Sequence, residues 1–156
     1  MQKLRSVIAS LGLTALVLLN VTGTAHAEPV LPADSPAASA AAAPDGYFYA
    51  WGHINRGGFM CHWSGDDPDW STCDSVNLRN DASSLENRGW PGPYEDVFLY
   101  WDDADDAGGW DHTRACLPNG LYLNNLTGIY YPWDGRQGQG ETLNDNISAH
   151  RWGSGC

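Results

Sequence analysis

Asn80-Asp81-Ala82-Ser83-Ser84 returns in outline near the end of the chain as Asn144-Asp145-Asn146-Ile147-Ser148. An Asn or Asp side chain can fold back on its own backbone at a turn, and the serine that follows brings a hydroxyl into the same small volume. Two copies of such a corner predict two similar units, each turning in the same way.

Outward from the corners, a second pair of matching stretches emerges. Trp51-Gly52-His53-Ile54-Asn55-Arg56-Gly57-Gly58 lies fifty residues before Trp101-Asp102-Asp103-Ala104-Asp105-Asp106-Ala107-Gly108. Each leads from an aromatic strand end through a polar turn to a glycine seven residues on. A folded-over hairpin needs positive φ at that point, which glycine adopts without steric cost. The clearest strands are Tyr47 to Trp51, Phe59 to Trp63, Val97 to Trp101, Leu121 to Leu126 and Ile147 to Trp152, set between clusters of Gly, Asp, Asn and Pro. Asn119-Gly120 adds a turn signal. No window of helical length keeps a 3.6-residue period without a glycine or proline. The expectation is an all-β domain of two four-stranded Greek keys.

The rest of the chain sets the compartment. Lys3 and Arg5, the apolar run Val7 to Val21 and the small-x-small triplet Ala25-His26-Ala27 read as a signal peptide over residues 1–27. The apolar run is short for a membrane span of about 20 residues. Residues 28–45, punctuated by Pro29, Pro32, Pro36 and Pro44 among alanines, read as a tether, and 46–156 as one domain. Without the leader, six arginines face nineteen acidic side chains, a net charge of −13. Nucleic acid and anionic membrane are therefore poor partners, because phosphate binding needs a basic stripe. Cys61, Cys73, Cys116 and Cys156 make an even count in an exported domain and predict two disulfides. Three pairings are open; Cys61–Cys73 with Cys116–Cys156, one within each half, is favoured over the others and over a Cys/His zinc site.

The chain resembles the βγ-crystallin-type domains and, within them, the secreted actinobacterial proteins of peptidase inhibitor family I36. Trp63-Ser64-Gly65-Asp66, Asn80 to Gly89, Val97-Phe98-Leu99-Tyr100, Cys116-Leu117-Pro118-Asn119-Gly120 and Leu143 to Trp152 carry the resemblance. It implies a disulfide-stabilised two-Greek-key β-sandwich of extracellular use, whose partner is an extracellular protease, with the metalloprotease type favoured; the chain is separately expected to be a monomer. Two departures stand out. Arg56 and Asp106 occupy the place of a second hairpin aromatic, and the corner motifs begin with Arg79 in the first copy and end with Ala149 in the second.

In the resembled domains each corner offers calcium a backbone carbonyl from its third position and a hydroxyl from its fifth. Those positions are Asp81 and Ser83 here, and Asn146 and Ser148. Hard oxygen donors suit calcium, and the acidic turn Asp102 to Asp106 adds charge; the competing role for these side chains is hydrogen bonding that shapes the corner. No cofactor beyond calcium is implied. For inhibition, a rigid loop that fits a cleft without rearranging spares the cost of ordering it. The stretch between Cys61 and Cys73 is the best candidate, although no inhibitory residue maps onto it.

Eight tryptophans suggest an alternative, a glycan- or cell-wall-binding module, with Trp70, Trp90 and Trp133 expected to be exposed. Enzymatic signatures are lacking. There is no His-Glu-x-x-His and no Gly-x-Ser-x-Gly, and His53, His62, His112 and His150 have no evident nucleophile partner.

Overall fold

The computed structural model describes residues 39–73, 75–104 and 109–156; the leader expected over 1–27 lies outside the described residues. Along the chain run β1 (Ser39–Ala40), β2 (Tyr47–His53), β3 (Gly57–Trp63), β4 (Ser84–Arg88), β5 (Asp96–Tyr100), β6 (Arg114–Leu117), β7 (Leu121–Leu123) and β8 (Ala149–Gly153). One 3-10 turn, Ile54–Arg56, joins β2 to β3. All pairings between strands are antiparallel, in two sheets ordered β1-β7-β4-β2-β3 and β6-β5-β8. An isolated bridge from Asp67 to His150 adds a further position beside β8. Each half thus lends a segment to the other half's sheet: β7 crosses to β4, and Asp67 crosses to β8. Two interlocked Greek keys form a βγ-crystallin-like sandwich, as the sequence predicts.

The strands alternate as a half-buried sheet requires. On β2, Phe48 and Ala50 are fully buried between the sheets, and on β5 Val97 and Leu99 face them. Leu85, Leu117, Leu123 and Ile147 complete the centre, closed by Leu78, Leu126, Ile129, Tyr131 and Leu143 from the loops. Strand β4, Ser-Leu-Glu-Asn-Arg, is missing from the sequence-based strands because its composition is polar. Its Asn87 is nevertheless buried, with Nδ2 donating to Glu95 O at 3.0 Å and Leu117 O at 3.1 Å. A buried amide is tolerable only with such partners.

Strand register corrects the internal repeat by one residue. Trp51 pairs with Ser84 on β4, and Tyr100 pairs with Ala149 on β8. Ser83 N donates to Trp51 O, and Ser148 N donates to Tyr100 O. Trp51 therefore corresponds to Tyr100 and not to Trp101. A one-residue slip would turn the core side chains outward, so burial enforces this register. The hairpin glycine behaves as expected: Gly58 has φ +75, and a Cβ there would strike the His53 ring. Its expected counterpart, Gly108, lies outside the described residues.

Part of the expected tether is paired with the domain. Strand β1 pairs with β7, and Ala42 N donates to Glu86 Oε1 at 2.8 Å, so residues 39–45 of the expected tether lie against the first sheet. The Glu86 side chain has no exposed area and is held by Arg88 at 2.8 Å and Arg56 at 3.3 Å. Burial works against its charge, but the Arg88 hydrogen bond, the Ala42 amide and Arg56 outweigh this and keep its pKa below the usual range. The disulfides join Cys61 to Cys73, with Cα atoms 6.0 Å apart, and Cys116 to Cys156, with Cα atoms 5.4 Å apart.

Candidate functional site

The two corners meet face to face. Asn80 N donates to Ile147 O at 2.9 Å, and Asp145 N donates to Ala82 O at 3.1 Å, a reciprocal exchange between equivalent positions. Asn80 and Asp145 both take left-handed backbone, with φ of 56 and 59. Short polar side chains tolerate that region best, which explains the residue types. Contrary to the simplest expectation, the Asn80 side chain does not fold back locally. Ser148 Oγ donates across to Asn80 Oδ1 at 2.9 Å and to Trp101 O at 3.1 Å. Ser83 likewise hydrogen-bonds Asp145 of the other copy.

Of the residues expected to hold calcium, Ser83 and Ser148 are buried, Asp81 is exposed and Asn146 is half-buried. Asn146 O already accepts from Tyr131 Oη at 3.0 Å. The acidic turn is directed elsewhere. Asp102 and Asp103 both pair with Arg79, which also reaches Asp69 at 3.5 Å. Asp105 and Asp106 lie outside the described residues. Arg79, the departure at the start of the first motif, thus supplies positive charge on the side of the second hairpin. The first corner remains acidic: burial and the nearby Asp81 charge raise the Asp145 pKa, with the Ser83 hydrogen bond opposing. Among the described residues, no group of three or more His, Cys, Asp or Glu side chains is placed to hold a metal. Any cation here would depend on carbonyl and hydroxyl donors as well.

The Cys61–Cys73 loop is fastened along most of its length. Asp67 exchanges backbone hydrogen bonds with His150 at 3.1 and 2.9 Å, and Trp70 N donates to Ser148 O at 2.8 Å. Trp70 is fully buried, which overturns its expected exposure. Its ring stacks on Trp63 at 4.9 Å, inside a core that rewards large apolar surface. Asp69 caps Ser71 and meets Arg79. Burial opposes its charge, but the Ser71 hydrogen bonds and Arg79 lower its pKa overall. Between the two cysteines, only His62, Ser64, Gly65, Asp66, Pro68 and Thr72 are exposed.

His150, which the sequence left without a role, fixes this loop. It is fully buried, within 4.9 Å of the Phe48 and Trp63 ring centroids. Trp70 Nε1 donates to His150 Nδ1 at 2.8 Å, so His150 Nε2 carries the proton and donates to Gly65 O at 2.8 Å. Burial lowers its pKa to about 3, with the Gly65 contact opposing. Trp152 adds two more ties: Nε1 donates to Gly65 O at 3.1 Å, and the backbone N–H donates to Asp66 Oδ1 at 2.8 Å.

The tip so held forms one wall of an open cleft of about 330 Å³, whose other walls include Trp90, Pro93, Tyr94 and Trp152. Trp90 and Tyr94 are 65% and 69% exposed. Trp133 is exposed as expected, at 82%, on a different loop. The cleft escaped the sequence reading because its parts come from four separate segments.

Residues 36–112 match the family model described as peptidase inhibitor family I36, from β1 through the end of the second hairpin loop. No curated protein matches the chain. Among solved structures, similarity extends to a βγ-crystallin domain studied for the evolution of the eye lens fold, at 21% identity over 72% of this chain and 89% of that one, TM-score 0.48. An archaeal βγ-crystallin aligns at 19% identity over 68% of this chain and 95% of that one, TM-score 0.45. Spherulin 3A from Physarum polycephalum aligns at 21% identity over 77% and 95%, TM-score 0.44.

Proposed function

With the match of residues 36–112 to peptidase inhibitor family I36 as premise, we propose that this chain is a secreted, non-catalytic, monomeric inhibitor of an extracellular protease, of the metalloprotease type. The family match carries the reading. The fastening of the Cys61–Cys73 loop supports it, because a segment already held in one conformation loses little entropy on docking. Ser64-Gly65-Asp66, clamped from behind by His150 and Trp152, is the segment assigned to the protease. Titration of the purified protein against secreted metallo- and serine proteases should give saturating, near-stoichiometric loss of activity with the chain left uncut. Ser64→Arg, at an exposed position, should weaken inhibition at least tenfold. Digestion of the chain, or full activity in every protease tested, would sink the proposal.

A second reading rests on the first corner. The Asp81–Asp145 repulsion and the Ser83 hydroxyl favour one calcium ion there, with Asp81 and Ser83 as ligands. Asn146 and Ser148 suit it less, since both atoms already serve other partners. A real site would raise stability by about 2.7 kcal/mol at a hundredfold excess over its dissociation constant. Thermal unfolding with and without calcium measures this, and Asp145→Asn should remove the gain. An unchanged melting temperature would reduce these residues to corner-forming ones.

A further inference from the structure

The cleft between the 64–66 tip and the 89–94 segment is concave, whereas a loop that blocks a protease must itself be the projecting partner. We propose that this cleft is a carbohydrate-binding site for an uncharged chain of pyranoses with equatorial substituents, seated on Trp90 and Tyr94 opposite the 64–66 segment assigned above to the protease.

Three observations converge. The first is the character of the walls. Trp90 and Tyr94 expose most of their rings, and Trp152 lies half-buried beside them. Pyranoses with equatorial hydroxyls present flat C–H faces, and these stack on aromatic rings that are apolar on the face and polar at the edge.

The second is pre-organisation. A Cβ on Gly46 would collide with the Trp90 indole, and one on Gly89 would collide with the Trp152 ring. Both rings lie directly on backbone that carries no side chain, so their positions are set before a ligand arrives. The tight segment Trp90-Pro91-Gly92-Pro93-Tyr94 is braced as well: Gly92 N donates to Glu95 Oε2 at 2.8 Å, and Tyr94 N donates to Ser154 Oγ at 2.8 Å. Binding here does not spend its energy on ordering a loop.

The third is the polar complement. Among the described residues, the Trp90 indole N–H and the Tyr94 hydroxyl have no hydrogen-bond partner. Asp66 Oδ1 accepts from Trp152 N, while Oδ2 has only Arg151 Nε at 3.7 Å, beyond hydrogen-bond length. A donor, a donor–acceptor and a carboxylate acceptor spaced around aromatic faces suit sugar hydroxyls. Charge narrows the class. Eight basic against nineteen acidic residues, a net charge of −11, repel sulfated, phosphorylated or uronic-acid polymers.

The test uses intrinsic tryptophan fluorescence of the purified protein, titrated with cellohexaose and N-acetylchitohexaose, with an anionic oligosaccharide as the comparator. Saturable quenching or enhancement by at least one of the two neutral hexaoses is expected, with none from the anionic one. Trp90→Ala and Tyr94→Ala should each weaken binding at least tenfold, whereas Trp133→Ala should bind like the parent. Trp90→Phe keeps a ring and should retain most of the binding, which separates stacking from a folding defect. Inhibition assays on the same variants should be unchanged. Failure of both neutral hexaoses to bind would overturn the proposal. So would binding that survives Trp90→Ala and Tyr94→Ala together. Loss of protease inhibition in these two variants without any glycan binding would assign the cleft to the protease instead.

Discussion

Trp70 Nε1–H can donate to His150 Nδ1 only while that nitrogen is unprotonated, and this sets how the fold responds to acid. The folded pKa of His150 lies at about 3 against 6.5 for the free side chain. Below pH 6.5 the unfolded chain takes up a proton that the folded chain refuses until about pH 3. Stability therefore falls as pH drops through that window, by about 1.4 kcal/mol per pH unit from this residue. Asp69 and Glu86 act lower down. Their folded pKa values are depressed, so the stability they contribute is present above their ordinary carboxylate range and is lost as pH falls below it. Urea unfolding at pH 6, 5 and 4 should show the His150 slope. His150→Gln places a non-titrating amide between Trp70 and Gly65 and should flatten the slope whatever its own stability at neutral pH. An unchanged slope in that variant would remove His150 from the account.

At the scale of elements, the Cys61–Cys73 bridge links β3 to a loop that is already fastened to β8. The chain-entropy estimate gives about 3 kcal/mol for closing this loop and about 4 kcal/mol for Cys116–Cys156. Replacing both Cys61 and Cys73 by alanine should lower stability by about 3 kcal/mol in urea unfolding. Amide exchange at Asp67 and His150 should stay protected, because their reciprocal hydrogen bonds do not depend on sulfur. Rapid exchange there would mean that the disulfide, and not the bridge to β8, orders the loop. The strands differ in how plainly they read from sequence, for the same reason that their energetics differ. β2 and β5 alternate aromatic or branched residues and stand out, whereas β4 buries Asn87 and Glu86 through partners far away in the chain. No local pattern announces a polar central strand. β1 was hidden in an alanine-rich stretch that carries no period, and its place is fixed by pairing with β7.

For the whole molecule, the corner repeat was legible because both copies need left-handed Asn or Asp followed by serine. What could not be read is that the copies bond to each other. That fact depends on how two units separated in sequence are brought together, as does the cleft built from residues 46, 64–66, 89–94 and 152. The same pairing has an energetic consequence. Ser148 reaches Asn80, Ser83 reaches Asp145, β7 completes the sheet of the first half, and Asp67 extends the sheet of the second. Neither half can satisfy its backbone edge or cover its core face alone, so each exposes apolar surface unless the other is folded. The sandwich should therefore unfold as one cooperative unit. Far-UV circular dichroism and tryptophan fluorescence should give coincident urea transitions, since Trp63 and Trp70 from the first half pack with His150 from the second. Residues 39–93 and 94–156, made as separate peptides, should each lack a cooperative transition and regain one on mixing. Two resolved transitions in the intact chain would show that the halves are independently stable and that their exchange of segments is decoration on two self-sufficient motifs.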